Sequence, residues 1–360
     1  MLATGTVNAL PVCHGVILPV DAWPHRLDAA IQMRDRTPPL IDGLQFCNWS
    51  RAVFEQMRDA GMTAVHATVT YHEGFRPTVD RIVEWQWRLR EHADLIAPGT
   101  SAADLAAAEA SGRTAIIFGL QNPLPIEDDL GLVEVLHRLG IRFMQLTYNN
   151  QSLLGCGWME AEDSGLTAMG REVVREMNRL GMVIDLSHSG ERTTLEAIAA
   201  SRRPVTVSHA NPSSWKATGR NKSDCVLRAL AGSGGMLGLS LYPHHLADGP
   251  ATTLAAFCDM AARTAEIVGV ANLGIGSDLC QDQPDSAVQW MREGRWTRLS
   301  PGAPRATFPP QPAWFRSNLD FPRLGAGLRD AGFSADDAAA VLGGNWRRFM
   351  AAAFAPEGTA

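Results

Sequence analysis

Long runs of positive charge are missing from this chain of 360 residues. Its 32 lysines and arginines are scattered among 38 acidic residues, and nothing basic extends beyond pairs such as Arg202-Arg203 and Arg347-Arg348. A net charge of −6 without a basic stripe excludes the footprint that a nucleic-acid phosphate backbone requires. Cys-x-x-Cys is absent as well. The 6 cysteines, Cys13, Cys47, Cys156, Cys225, Cys258 and Cys280, stand far apart with no zinc-knuckle spacing and read as buried thiols of a reducing compartment. The first 20 residues carry neither the basic start nor the sustained apolar core of a secretion signal, and no apolar stretch reaches the roughly 18 residues a membrane span needs. The expectation is a cytoplasmic protein with no nucleic-acid and no membrane partner. A G-x-G-x-x-G after a strand is missing too, since "LAGSGGML" precedes a strand, and this removes the dinucleotide-binding reading.

What is present is an alternation. A composition of 46% hydrophobic and 19% charged residues buries a large core and leaves little room for disorder. Short apolar or β-branched runs near 39–46, 62–70, 113–120, 141–147, 182–187, 204–208, 235–241 and 272–277 read as strands. Between them, segments near 50–60, 77–93, 101–111, 130–139, 164–180, 190–200, 222–232 and 251–269 have helical period. Eight strands alternating with helices predict an α/β fold, a (β/α)8 TIM barrel. Residues 1–38 read as an N-terminal extension packed on the barrel, and 39–360 as the catalytic domain with a C-terminal helical segment. The stretch 281–317, rich in proline and bearing Trp290, Trp296 and Trp314, reads as an unstructured loop that covers a site or binds something.

In such a barrel the chemistry sits at the carboxyl ends of the strands, so the residues ending each strand are the candidates. "AIIFGLQN" ends in Gln121-Asn122, "FMQLTYNN" in Tyr148-Asn149-Asn150, "MVIDLSHSG" in His188, "VTVSHANP" in His209 and "LGIGSDLC" in Asp278. Two histidines ending adjacent strands, with a carboxylate facing them across the barrel axis, are how a barrel hydrolase holds a divalent metal and a proton-carrying acid. His66 and His72 flank the second strand as weaker candidates; His244 and His245 read as loop residues, and His14, His25, His92 and His137 as structural or exposed.

These motifs resemble the membrane (renal) dipeptidases of the amidohydrolase superfamily. The resemblance runs from about residue 38 to 354 and is strongest in "VIDLSHSGERTTLEAI", "PVTVSHANPSSW", "GRNKSDCVLRALAGSGGMLGLSLYP", "IGSDLCQ" and "AAVLGGNWRRF". It implies that the TIM barrel is of the metal-dependent hydrolase type, a two-zinc peptidase in which His188 and His209 bind one ion and Asp278 moves the proton. Arg220, with Asn221 beside it, would grip the dipeptide's carboxylate, as a planar guanidinium does with paired hydrogen bonds. Against the family's "DGHND" stands Asp42-Gly43-Leu44-Gln45-Phe46; Gln121 stands for the bridging glutamate and Tyr148 for the histidine that stabilises the oxyanion.

The resulting expectation is a dipeptidase-like hydrolase of a dipeptide or small carboxylate-bearing amide. It would use one weakly bound divalent metal, zinc, held by His188, His209 and Gln121, with Asp278 and Tyr148 catalytic and Arg220 and Asn221 binding substrate. Gln121 keeps an oxygen donor without its charge, and the Tyr148 hydroxyl can still donate to an oxyanion. The resemblance also implies a homodimer. Two alternatives stay open: a catalytically silent relative that binds a small ligand, and a repurposed barrel with non-hydrolytic chemistry.

Overall fold

The computed structural model describes residues 38–298 and 300–355. The extension expected over 1–38 therefore lies, Pro38 apart, outside the described residues. Nine parallel strands form the sheet: β1 Leu40–Gln45, β2 Met62–Thr70, β3 Ile96–Pro98, β4 Thr114–Leu120, β5 Ile141–Gln145, β6 Val183–Asp185, β7 Thr206–Val207, β8 Met236–Leu239 and β9 Leu273–Ile275. Pairing of β2 with β4, and of Asp42 on β1 with Ile275 on β9, closes eight of them into a barrel. The strand missed by sequence reasoning is β3. Its three residues pair only with the start of β4, too short a run to carry a period of its own.

The strands read as continuous apolar runs because their residues are buried on both faces, between the barrel interior and the helices outside, as parallel strands in this architecture are. Helices form where the sequence supplies caps. Ser50 opens α1 (Arg51–Asp59), Ser101 α3 (Ala102–Ala110) and Thr167 α5 (Ala168–Leu180), each accepting a backbone N–H in the first turn. Gly181, in the left-handed region at φ 75°, ends α5 and turns the chain into β6. The other helices flanking the barrel are α2 (Phe75–Glu91), α4 (Gly131–Arg138), α6 (Glu191–Ala200), α7 (Asp224–Gly232) and α8 (Leu254–Val268).

One end of the barrel is plugged. In α12 (Asn345–Ala353) the fully buried Trp346 donates its indole N–H to Ile275 O at 2.8 Å, and it packs so closely on Gly43 and Gly274 that a Cβ at either would lie 2.5 or 2.4 Å from the ring. Gly343 lies against Pro39 O, and Gly181 against the carbonyls of Ala353 and Phe354, so α12 covers the end where β1 and β6 begin. This explains "GGNW" and leaves the carboxyl ends open. The stretch 281–317 is not unstructured throughout: it contains α9 (Ser286–Glu293), and beyond it come α10 (Phe321–Asp330) and α11 (Ala335–Ala339). Cys47, Cys156 and Cys258 are buried thiols and Cys280 a half-buried one, but Cys225 is disulfide-bonded, which corrects the expectation of six thiols.

Candidate active site

Beneath the open end, Asp185 ties β6 to β7. Its carboxylate accepts from Ser187 N (3.1 Å), Ser187 Oγ (2.6 Å), Ser208 N (3.0 Å), Ser208 Oγ (2.5 Å) and Gln145 Nε2 (3.1 Å). The residues directly after these serines are His188 and His209, which therefore leave the barrel side by side. His188 Nδ1 lies 2.8 Å from Asn149 Oδ1, which cannot donate, so Nδ1 carries the proton. His209 Nδ1 lies 2.7 Å from Ser208 Oγ, whose own hydrogen goes to Asp185, so here too Nδ1 donates. Both Nε2 atoms are left with lone pairs, and they face each other at 3.1 Å.

Two lone pairs at that separation repel unless a cation lies between them. Two nitrogens about 2.05 Å from one tetrahedral zinc are roughly 3.3 Å apart, so the pair fits two positions on a single ion. Anchoring of the far nitrogen by a polar partner is also what metal-binding histidines show. Burial, and then Arg220, hold both imidazoles well below the usual histidine pKa, hence neutral. Among the described residues no third His, Cys, Asp or Glu joins them into a metal-binding group. Gln121 is the oxygen donor at hand: it lines the same cavity, and its Nε2 is held by Thr68 Oγ1 (2.8 Å) and Tyr71 OH (3.1 Å), leaving Oε1.

The cavity measures 480 Å³, and Gln121, Tyr148, His188, Arg220 and Asp278 all line it. His209 lies fully buried behind His188. Arg220 bridges the two histidine segments, donating from Nη1 to Ser187 O at 2.7 Å and from Nη2 to His209 O at 2.9 Å, while its buried Nε has no partner among the described residues. Burial lowers its pKa to about 10, so it stays cationic at neutral pH. Asp278 sits at φ 56°, an uncommon conformation for a side-chain-bearing residue, and its carboxylate makes no hydrogen bond among the described residues. Burial pushes its pKa up to about 7 against the pull of Arg220, with Asp42 adding to the rise. Tyr148 stacks on His188, ring centroids 4.2 Å apart, and burial holds its hydroxyl protonated far above its ordinary pKa.

One expected substrate residue is elsewhere. Asn221 turns away from the cavity, donating from Nδ2 to Lys216 O (3.0 Å) and His245 O (3.2 Å) and accepting from Asn211 N (3.2 Å), so it shapes a loop. His66 is a core residue: Nδ1 lies 2.6 Å from Gly43 O, the ring stacks on Phe143, and a Cβ at Gly119 would lie 1.8 Å from Nε2. His72 lies under α9, its Nε2 3.3 Å from Met291 O. Conversely, His244 and His245 do reach the cavity. His245 Nδ1 is 2.7 Å from Ser240 Oγ at the end of β8, a serine-to-histidine brace like that of Ser208 and His209. That bond closes across the turn at Pro243, and nothing in the local sequence announces it. Sequence reasoning also missed Arg292, which comes to the cavity from α9, whereas Trp296, noted in the stretch 281–317, comes to it from the turn after that helix.

A closed parallel barrel with two histidines, an arginine and a carboxylate at the carboxyl ends of its strands defines an amidohydrolase-type TIM barrel. Within that class the chain belongs to the membrane dipeptidase family (peptidase family M19), whose sequence model matches residues 43–289. It is similar to dipeptidase aclJ of Aspergillus oryzae, 27% identical over 285 residues, covering 78% of this chain and 61% of that one. It is also similar to dipeptidase verJ of Clonostachys rogersoniana, 29% identical over 209 residues, covering 58% and 54%. The chain thus spans between half and two thirds of the length of these curated relatives. Among solved structures, an amidohydrolase from Pseudomonas aeruginosa is 36% identical with a TM-score of 0.83, covering 88% of this chain and 97% of that one. A metallopeptidase from Rhodobacter sphaeroides, bound to a phosphinate mimic of the dipeptide L-Ala-D-Ala, shares the fold at 20% identity with a TM-score of 0.73, covering 88% and 99%.

Proposed function

We propose that this protein hydrolyses the amide bond of a dipeptide or a small carboxylate-bearing amide, working with a single divalent ion, zinc, bound weakly. The observation that carries this reading is the facing of the His188 and His209 Nε2 lone pairs at 3.1 Å, beside a cavity that also holds Arg220 and Asp278. A divalent ion held by these two imidazoles, with Gln121 as a neutral oxygen donor, supplies Lewis acidity at the scissile carbonyl. Loss of a carboxylate from such a donor set weakens binding, which is why the ion is expected to be lightly held.

The rest is done by the chain's own groups. Arg220 anchors the substrate carboxylate through N–H groups that its two carbonyl partners leave free, and those carbonyls fix the guanidinium so that little order is lost on binding. Asp278, with a pKa near neutrality, takes a proton from the attacking water and delivers it to the leaving amine. Tyr148 donates its hydroxyl hydrogen to the developing oxyanion, held in place by its stack on His188. Residues of α9 roof the cavity and limit access of bulk water.

A second reading, a silent relative that only binds a carboxylate-bearing ligand, is favoured by one fact: no third His, Cys, Asp or Glu joins the pair among the described residues. Zinc content after dialysis against the ion, and hydrolysis of L-Ala-D-Ala and L-Ala-L-Ala by wild type and His188→Ala, separate the two. Stoichiometric zinc and a loss of at least about 100-fold in the variant are expected. Zinc near zero, or equal rates in the two proteins, overturns the hydrolase.

A further inference from the structure

The cavity holds a second arginine that the proposed reaction does not use. Arg292, near the end of α9, lines the cavity alongside Arg220. Its side chain's one hydrogen bond among the described residues runs from Nη2 to Tyr242 OH at 3.2 Å, and it makes no ion pair there. The adjacent Glu293, which also lines the cavity, makes no ion pair with it among the described residues; that carboxylate accepts from Gln289 Nε2 and Thr297 Oγ1 within its own segment. The guanidinium is therefore a cation with most of its donors uncommitted, facing a space sized for a small molecule.

Its position is fixed from several sides. The Arg292 carbonyl accepts from Asn149 Nδ2 at 3.3 Å, from the same amide whose Oδ1 orients His188. Glu73 holds α9 by accepting from Trp290 Nε1 at 2.9 Å, and His72 approaches Met291 O. The helix would thus stay in place without the Arg292 guanidinium, which separates a recognition role from a purely architectural one. Charge distribution agrees. In a chain of net charge −6, the stretch 281–317 carries five arginines (292, 295, 298, 305 and 316) against Asp282, Asp285 and Glu293, so this stretch is basic where the molecule is acidic, and of its charged residues Arg292 and Glu293 line the cavity. Such a local excess draws in anions.

We propose that Arg292 reads a second anionic group on the substrate, so that the site prefers dipeptides whose N-terminal residue bears a carboxylate. This rests on the amide-hydrolase reading, in which Arg220 takes the C-terminal carboxylate. Arg220 on the floor and Arg292 in the roof then hold the two anionic ends, and the scissile amide lies between them near Asp278.

The test compares L-Glu-D-Ala with its neutral isostere L-Gln-D-Ala in wild type and in Arg292→Met, which keeps much of the side chain's length. Wild type is expected to favour the glutamyl dipeptide in kcat/KM by about tenfold, the worth of a charge-assisted hydrogen bond in a partly exposed site. In Arg292→Met the preference should fall to about twofold or less while L-Gln-D-Ala turnover stays within about threefold. Equal rates for the two dipeptides in wild type, or an equal slowing of both in the variant, would overturn the proposal. A second measurement needs no turnover: quenching of Trp158 and Trp296, which line the cavity, titrated with glutarate or with its half-amide. About tenfold tighter binding of the dianion, lost in Arg292→Met, is expected, and equal binding counts against Arg292. If neither dipeptide is hydrolysed yet the dianion is preferred, the hydrolase reading fails and the role of Arg292 stands.

Discussion

Asp42 on β1 and Asp185 on β6 stand half a turn apart around the barrel and do the same structural job. Asp185 takes both the N–H and the hydroxyl of Ser208 from the next strand, and an amide hydrogen from Gln145. Asp42 takes both the N–H and the hydroxyl of Ser277 from β9, and an amide hydrogen from Gln45. Each brace presents the residue after its neighbouring serine to the barrel mouth: His209 in one case, Asp278 in the other. The two arcs differ in the residues beyond the aspartate on its own strand. After Asp185 comes His188, stacked under Tyr148 beside the cavity. After Asp42 come Leu44, fully buried, and Gln45, whose amide also reaches Asn318 Oδ1 at 2.9 Å. Phe46 then meets Tyr71 edge to face at 4.8 Å, and none of residues 42–48 lines the cavity. One scaffold device thus serves a wall on one side and a reactive cluster on the other, and chemistry resides in the residues beside the brace.

The comparison breaks most sharply at the residues after the two serines. Asp278→Asn keeps shape and brace but removes the group that carries the proton, and kcat is expected to fall about 10³-fold with little change in thermal stability. On the β1 arc the matched test is Leu44→Ala, which is expected to destabilise the fold by about 3 kcal/mol through the cavity it leaves while kcat/KM stays within about threefold. A tenfold loss of kcat/KM in Leu44→Ala, measured well below its melting temperature, would mean the wall takes part in catalysis.

The next effect concerns Asp42. Burial raises its pKa from 3.8 to about 6 although Ser277, Gln45 and Leu44 all donate to it. An acid whose pKa is higher folded than unfolded binds protons more tightly in the fold. Its contribution to stability is therefore fully present below about pH 4 and lost as pH rises through about 6. The shift corresponds to about 3 kcal/mol of unfolding free energy. Histidines with lowered values, such as His188, act in the opposite direction as pH falls, so the informative quantity is the difference between wild type and Asp42→Asn in urea unfolding at pH 4.5, 5.5 and 6.5. That difference should change by about 2 kcal/mol across the series; a constant difference would show that Asp42 does not titrate in this range.

Much of this arrangement is legible in the chain. The eight barrel strands announce themselves because each is buried on both faces, and His188, His209 and Asp278 are found by asking what ends a strand. Legibility ends where the chain leaves a strand and tertiary contacts take over. Asn221 comes directly after Arg220, yet its amide closes a loop onto Lys216 and His245. His245 belongs with the site, but it lies past a turn beginning at Pro243, and only the bond to Ser240 reveals it. Arg292 is hidden in a stretch whose prolines and tryptophans read as loop. What places it is a set of long-range bonds from Glu73, His72 and Asn149, none of which has a local sequence signature.

The two arcs meet in one aromatic cluster, where Phe46 packs on Tyr71 and Tyr71 lies against Tyr148, ring centroids 5.3 Å apart. This junction gives the finest test of their separation. Tyr148→Phe preserves the ring on His188 and removes only the hydroxyl, so kcat should fall about 10²-fold, the usual cost of one oxyanion donor, while the melting temperature moves by no more than about 1 °C. Phe46→Leu disturbs the same cluster from the wall side and should do the reverse, lowering the melting temperature by a few degrees and leaving kcat within about twofold. A parallel loss of kcat in Phe46→Leu would mean that wall packing sets the angle at which Tyr148 meets the substrate. The β1 arc would then be part of the catalytic apparatus through position, even though none of its own polar atoms reaches the cavity.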